Sequence, residues 1–509
     1  MIVDIEGGTV GFSFSANSGS TVHVRGGNIG NSFDAHTGSM VYVSGGTLGS
    51  LDATSGSRVD INEGTVASIN ARFGSTVSIS GGATDLVRAY GGSSLQMSGG
   101  RVRSDFDAEI NSNVELVGGE FQLNGEPFAD SVITLAAGDV FTGTFMDGAS
   151  FLFSDVTPFI SDTNYSDMLQ SATLTRVPLP AIDTSPIFID GSTATNVHRL
   201  RAGQTLSLHD GGMLDRNFTA VDANMNFEGG TVGTRLEIAG TIVSVHNGTI
   251  GDRFFASARS VVNMTNGAIG DHFAANSGSL VNLNGGTVGN YMRADSDSTI
   301  NIRDATVGIY AEANFGSTVN IDGGSVGSGF RASEGSTVNV GGGTVGNSFS
   351  AFGAVNILGG TVLSSFTAYI GSEVNIGGGS VGRSFEARYG STVNITGGTF
   401  GDDFKALSGS DINITGTEFY LDGTKVDLEF GVPMVVADRN VRLSGRLADG
   451  NDFEFDLFAS NSLVDDFFSP DATLTLTLVP EPTSVLLYAL ALVAGYVRWR
   501  GSIRCSSVA

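Results

Sequence analysis

The chain has 509 residues, more than one compact core usually holds, with 73 glycines, 9 prolines and 40% hydrophobic residues. That composition excludes collagen-like and proline-rich disordered chains and is enough to build a core. The formal net charge is −26, and of 26 basic residues only Lys405 and Lys425 are lysines, so the surface repels phosphate backbones and anionic lipid, and nucleic acid is not expected as a partner. One cysteine, Cys505, leaves no internal disulfide, and the fold must rest on packing alone.

From the N-terminus, GGTVG at 7–11, GGNIG at 26–30 and GGTLG at 45–49 recur every 19 residues, and related starts follow at Glu63, Gly81 and Gly99. A fixed period near twenty residues is the mark of a solenoid. A longer run starts at Gly211, Gly229, Asn247, Asn266, Gly285, Asp304, Gly323, Gly342, Gly359, Gly378 and Gly397, spaced by 17 to 19 residues. The idealised unit is GGTVGxxFxAxxGSxVNIx. Its alternation in V-N-I and F-x-A predicts three short strands per rung with glycine at the corners. The aliphatic residues of Val319-Asn320-Ile321 and its equivalents should face inward. Phe330, Phe349, Phe366, Phe385 and Phe404 should stack in one column, and Asn301, Asn320, Asn339 and Asn356 in another.

The expected class is therefore all-β: a right-handed parallel β-helix (β-solenoid) in two arrays with β-rich caps, plus a short C-terminal hydrophobic helix. Helical repeats are excluded by the glycine-rich, β-branched units, which lack apolar residues at i, i+3 and i+4. A left-handed hexapeptide coil is disfavoured because the period drifts from 18 to 17 and 19. The first array covers residues 1–119 and a cap 120–176; a linker and entry strand, interrupted by Pro178, Pro180 and Pro186, cover 177–203. The second array covers 204–417, its cap 418–478 and a sorting segment 479–509. The caps resemble each other: Glu120–Gly125 (EFQLNG) matches Glu418–Gly423 (EFYLDG), and Ala172–Thr175 matches Ala472–Thr475. Val3-Asp4-Ile5 already occupies a V-N-I position and no leader precedes it, so an upstream segment carrying a signal peptide is expected.

At the other end, Val479-Pro480-Glu481-Pro482 precedes an apolar run that includes Val485, Leu486, Leu487, Leu490, Leu492, Val493 and Val497, followed by Arg498, Arg500 and Arg504. As a helix, that run spans about 20 Å, short of the roughly 30 Å hydrocarbon core. The order of motif, apolar run and basic tail resembles the PEP-CTERM sorting signal of Gram-negative bacteria. The resemblance covers residues 479 to 504 only. It implies an exosortase-type membrane protease as partner, inner-membrane insertion that is transient or permanent, and residence at the cell surface or in an extracellular polysaccharide matrix.

Chemistry-bearing patterns are sparse. Arg293, Glu312 and Arg331 fall in one column, one rung apart, and read as alternating surface ion pairs. His209, Glu228 and His246 form the one candidate metal column, but two rungs put the histidines about 9.6 Å apart, too far for a single ion. The adjacent Asp402 and Asp403 should point to opposite sides of a strand. No RTX nonapeptide, nucleophile triad, phosphate loop or CxxC emerges, so no catalytic residue, metal site or cofactor is expected. The reading is an exported structural or adhesive protein that is not an enzyme. The alternatives are a polysaccharide lyase or hydrolase, whose cleft would break the rungs with long loops, and an autotransporter-like passenger, which would need a membrane barrel.

Overall fold

The structure, a computed structural model, describes residues 1–154, 167–192, 197–295, 297–460 and 465–481. Its described elements are all β-strands, with no helix among the described residues. The chain forms two compact units, Met1–Asn282 with Asp295–Ser298, and Leu283–Ala294 with Thr299–Ala509.

In the second unit most rungs are three short strands, as in Thr318–Ile321, Ser325–Val326 and Arg331–Ala332, and near its end two of them merge through the corner, as in Glu373–Val381. Each strand pairs in parallel with its equivalent in the next rung: Val319 with Val338, Val326 with Val345, and Ala332 with Ala351. Val319, Ile321, Phe330 and Ala332 are fully buried and Val326 nearly so, while Thr318, Asn320 and Ser325 between them are half-buried. The period-two pattern thus places one residue in the core and the next outside.

Three kinds of corner bend the rung. At the Gly-Gly corner the second glycine is left-handed (Gly324 φ +66°, Gly343 φ +68°), and a Cβ on Gly343 would lie 2.6 Å from the Gly323 carbonyl carbon. Only glycine fits there. Before each core phenylalanine a left-handed residue, such as Ser348, Ser365 or Ser384, turns its N–H toward the following rung. These donate to the carbonyls of Ser364, Arg383 and Asp402 at 2.9 to 3.0 Å. The third corner explains the Gly-Ser pair: Gly316 is left-handed, and the Ser317 hydroxyl donates to the Asn314 carbonyl at 2.6 Å. Equivalent bonds recur at Ser336, Ser372, Ser391 and Ser410.

Both expected columns are present. Successive rings of Phe330, Phe349, Phe366, Phe385 and Phe404 lie 4.7 to 5.1 Å apart. Outside, Asn320 donates its amide to Asn301 Oδ1 at 2.8 Å, and the ladder continues through Asn339, Asn356, Asn375 and Asn394 to Asn413. Every bond points the same way, so the amide dipoles reinforce one another.

Beyond the last rung of this unit, Asp411–Leu421 pairs antiparallel with Arg442–Leu447, which pairs with Asp452–Asp456; Thr473–Leu478 returns parallel to Asp411–Leu421. Carboxylates that accept backbone N–H groups fasten this cap. Asp466 accepts the Phe404 N–H at 2.7 Å and the Asp456 N–H at 3.0 Å, and Asp449 accepts the Gly398 N–H at 2.7 Å.

In the first array, within the first unit, the strands run through the corners, giving long elements such as Met40–Ala53, Arg58–Ala71, Thr76–Ala89 and Ser94–Ala108. The core column here is Phe14, Phe33, Leu51, Ile69, Val87 and Phe106. Asn113–Leu123 pairs antiparallel with Val140–Phe145, which pairs with Ser150–Ser154, and Ala172–Arg176 returns parallel to Asn113–Leu123. The carboxylates are also duplicated: Asp167 accepts the Phe106 and Ser154 N–H groups, both at 2.7 Å, and Asp147 accepts the Gly100 N–H at 2.9 Å. Rungs from Arg199 to Asn282 belong to this unit and flank the cap. Gln122 donates to Asp222 at 2.7 Å, and Ser150 and Ser277 donate to the carbonyls of Leu200 and Gly138 at 3.0 Å.

Candidate functional site

Where the end of the first array meets the entry rungs within the first unit, a cleft of about 720 Å³ opens, lined by Arg101, Arg103, His198, Arg199, Asp215 and Arg216 among others. Its origin is a break in the repeat. Arg101 stands in the outward column of Thr47, Thr65 and Ala83, so Arg101-Val102-Arg103 replaces the usual Thr-Val-Gly. Alternation along Ser94–Ala108 puts both guanidiniums on one side. Arg199 enters from Arg199–Leu200, paired with Thr219 of the next rung, and Arg216 comes from the corner before Phe218.

Backbone carbonyls and carboxylates hold most of these groups. Arg101 donates to the Asn217 carbonyl, Arg199 donates to the Gly100 carbonyl at 3.0 Å, and Arg103 pairs with Asp85 at 3.2 Å. His198 Nδ1 lies 3.4 Å from Asp215. Arg216 is exposed and forms no ion pair among the described residues. Burial, and then the neighbouring Arg103 and Arg199, push the Arg101 guanidinium down to about 10. Burial also lowers Arg199, and burial followed by Arg101 lowers His198. The guanidiniums remain charged at neutral pH and repel one another, an arrangement that an incoming oxyanion relieves. Among the described residues, four lining arginines facing one lining carboxylate, Asp215, stand out in a chain of net charge −26.

Close by, Arg235 bonds Glu237 at 2.7 Å and donates to the Ser104 carbonyl at 2.5 Å. Burial acts to lower its pKa, but Glu237, Asp167 and Asp105 outweigh that and raise it. Burial pushes the Asp105 carboxyl up to about 6, with Arg235 opposing.

The candidates read from the sequence are placed as follows. Arg293, Glu312 and Arg331 occupy successive paired strands. Arg331 does not pair with Glu312, however: it lies over the Phe352 ring at 4.4 Å, and no ion pair joins the two among the described residues. Phe352 stacks on Tyr369 at 4.2 Å and Arg388 covers Tyr369 at 4.9 Å, so the inner faces of these rings are occupied. His246 Nδ1 lies 3.0 Å from Glu228, but His209 packs against Phe188 instead. Among the described residues no group of three or more His, Cys, Asp or Glu could hold a metal ion. Asp403 is buried between Lys405 at 2.8 Å and Ser384 at 2.8 Å, whereas Asp402 is exposed, 3.4 Å from Arg383. Of the sorting motif, Val479 donates to the Gly416 carbonyl at 2.8 Å and Pro480 and Glu481 are exposed. Pro482, the apolar run from Val485 to Val497, and Arg498, Arg500 and Arg504 lie outside the described residues. No helix among the described residues is long and apolar enough to cross a membrane.

The cleft was missed by reading motifs alone, because its residues come from segments about a hundred positions apart. The signal available was the substitution of Arg-Val-Arg into a Thr-Val-Gly column. In comparison with known proteins, the chain matches no family model, no curated protein and no solved structure.

Proposed function

We propose that this chain is an exported structural or adhesive protein of the cell surface or extracellular matrix, without enzymatic activity. In this reading the coil is right-handed. The segment from Val479 onward is sorted by an exosortase-type membrane protease, its short helix holding the motif at the membrane. The observation that carries the reading is the regularity of the rungs. In the second unit the asparagine ladder runs from Asn301 to Asn413 without a break, and such an uninterrupted face suits extended contact better than a catalytic pocket. The test is fractionation of the native host with mass spectrometry of the mature protein. Recovery in the surface or matrix fraction without peptides after Pro482 supports the reading. A cytoplasmic pool, or a mature pool that retains Leu486 to Arg504, counts against export or processing respectively.

A carbohydrate-active enzyme is the second reading, favoured by His198 and Asp215 3.4 Å apart in a cleft with four arginines. Incubation with acidic and neutral polysaccharides should give no new chain ends. Sustained cleavage that disappears in His198→Ala would replace the first reading with this one.

A further inference from the structure

We propose that the arginine cleft of the first unit is a binding site for an acidic oligosaccharide, whose carboxylate or sulfate groups are taken by Arg103 and Arg216 beside Arg101 and Arg199. Its volume, about 720 Å³, falls within the range of about 300 to 1,000 Å³ typical of small-molecule sites. That is room for a ligand of several rings rather than one ion.

The lining chooses among anions. Guanidinium forks match the two oxygens of a carboxylate or the face of a sulfate. Among the described residues no ring but that of His198 lines the cleft, and they offer no aromatic platform of the kind that stacks nucleic-acid bases. Gln204, Asp215 and Asn217 also line it and supply donors and acceptors suited to sugar hydroxyls. The site is preorganised: Arg101 and Arg199 are fixed by carbonyls of Asn217 and Gly100, leaving little side-chain entropy to lose on binding. The negative charge of the whole chain does not cancel it, since beyond about 8 Å exposed charges are screened at physiological salt.

The proposal rests on the extracellular reading above only for the source of the ligand; binding itself does not depend on where the protein resides. The experiment is calorimetric titration of the full chain with tetragalacturonate, a sulfated heparin tetrasaccharide, neutral maltotetraose and inorganic sulfate. The expected result is saturable binding of at least one acidic tetrasaccharide, weakened by salt, with maltotetraose and sulfate far weaker. The two acidic probes identify which oxyanion is preferred. Arg216→Gln, an exposed change that removes no ion pair, should weaken binding about tenfold or more, the scale of one charge-assisted hydrogen bond. Arg103→Gln should do the same. Arg25→Gln, whose partners are Asp4 and Glu6, should leave binding unchanged. Equal binding of the neutral sugar, no binding of either acidic probe, or full affinity in Arg216→Gln with unchanged melting temperature would overturn the proposal. A cytoplasmic location in the host would refute the extracellular reading and leave the titration result standing.

Discussion

Replacing Asn356 by alanine tests whether the outer amide ladder stabilises the array. Asn356 donates to Asn339 Oδ1 at 2.8 Å and accepts from Asn375 Nδ2 at 2.9 Å, so its removal breaks two bonds. A net contribution of about 0.5 to 1.5 kcal/mol per bond gives an expected cost of about 1 to 3 kcal/mol. The lower half is favoured, because the freed Asn375 amide can turn to Glu373, 3.4 Å away. Asn413 supplies the internal control. It donates to Asn394 at 2.9 Å and ends the ladder, so Asn413→Ala should cost about half as much, while the change in strand propensity is the same for both. Long arrays need not unfold in one step. The appropriate assay is therefore native-state hydrogen exchange read by mass spectrometry on peptides around each site. Asn356→Asp should be worse at neutral pH, since a carboxylate would face the Asn339 carbonyl oxygen, and should recover on acidification as the protonated acid regains a donor. Equal costs at the two sites, or none at Asn356, would show that the ladder follows from the backbone register and adds nothing to it.

Phe366→Ala, between rings 4.7 and 5.1 Å away, should cost about 3 to 5 kcal/mol and lower the thermal midpoint, because neighbouring rungs hold the cavity open. Gly343→Ala should be more disruptive than Gly450→Ala when soluble yield and melting are compared: both glycines are left-handed, but Gly343 abuts the Gly323 backbone and Gly450 faces open space. Asp105 is raised to about 6 in the folded protein, so the native state holds its proton more tightly than the unfolded chain. Its contribution is fully present below about pH 4 and is lost as pH rises through about 6; Asp105→Asn should flatten that part of the stability profile measured by urea unfolding.

The rung, its corners and its two columns were legible because they are local: a period of 17 to 19 residues, alternation, and glycine where a Cβ cannot fit. The duplication of the caps could also be read, from EFQLNG and EFYLDG. The fastening carboxylates could not. Asp167 reaches Phe106 across 61 positions and Asp466 reaches Phe404 across 62, and nothing near either aspartate marks it. The charged column shows a subtler limit: the register of Arg293, Glu312 and Arg331 followed from spacing, but the rotamer of Arg331 was decided by the ring of Phe352. Exposed Phe315 and Tyr389 also look misplaced in sequence; each lies over the left-handed glycine of the next rung, Gly335 and Gly409, where a side chain would collide with the ring.

Asp449 and Asp466 grip backbone N–H groups, of Gly398 and Phe404, rather than side chains. The same two N–H positions recur on every rung, so the cap can recognise whichever rung happens to be last and is indifferent to how many came before. Whole-rung insertion or deletion then alters reach in steps of about 4.8 Å while leaving the terminus intact. Length becomes a heritable quantity that selection can adjust by unequal recombination among near-identical segments, without inventing a new way to end the molecule.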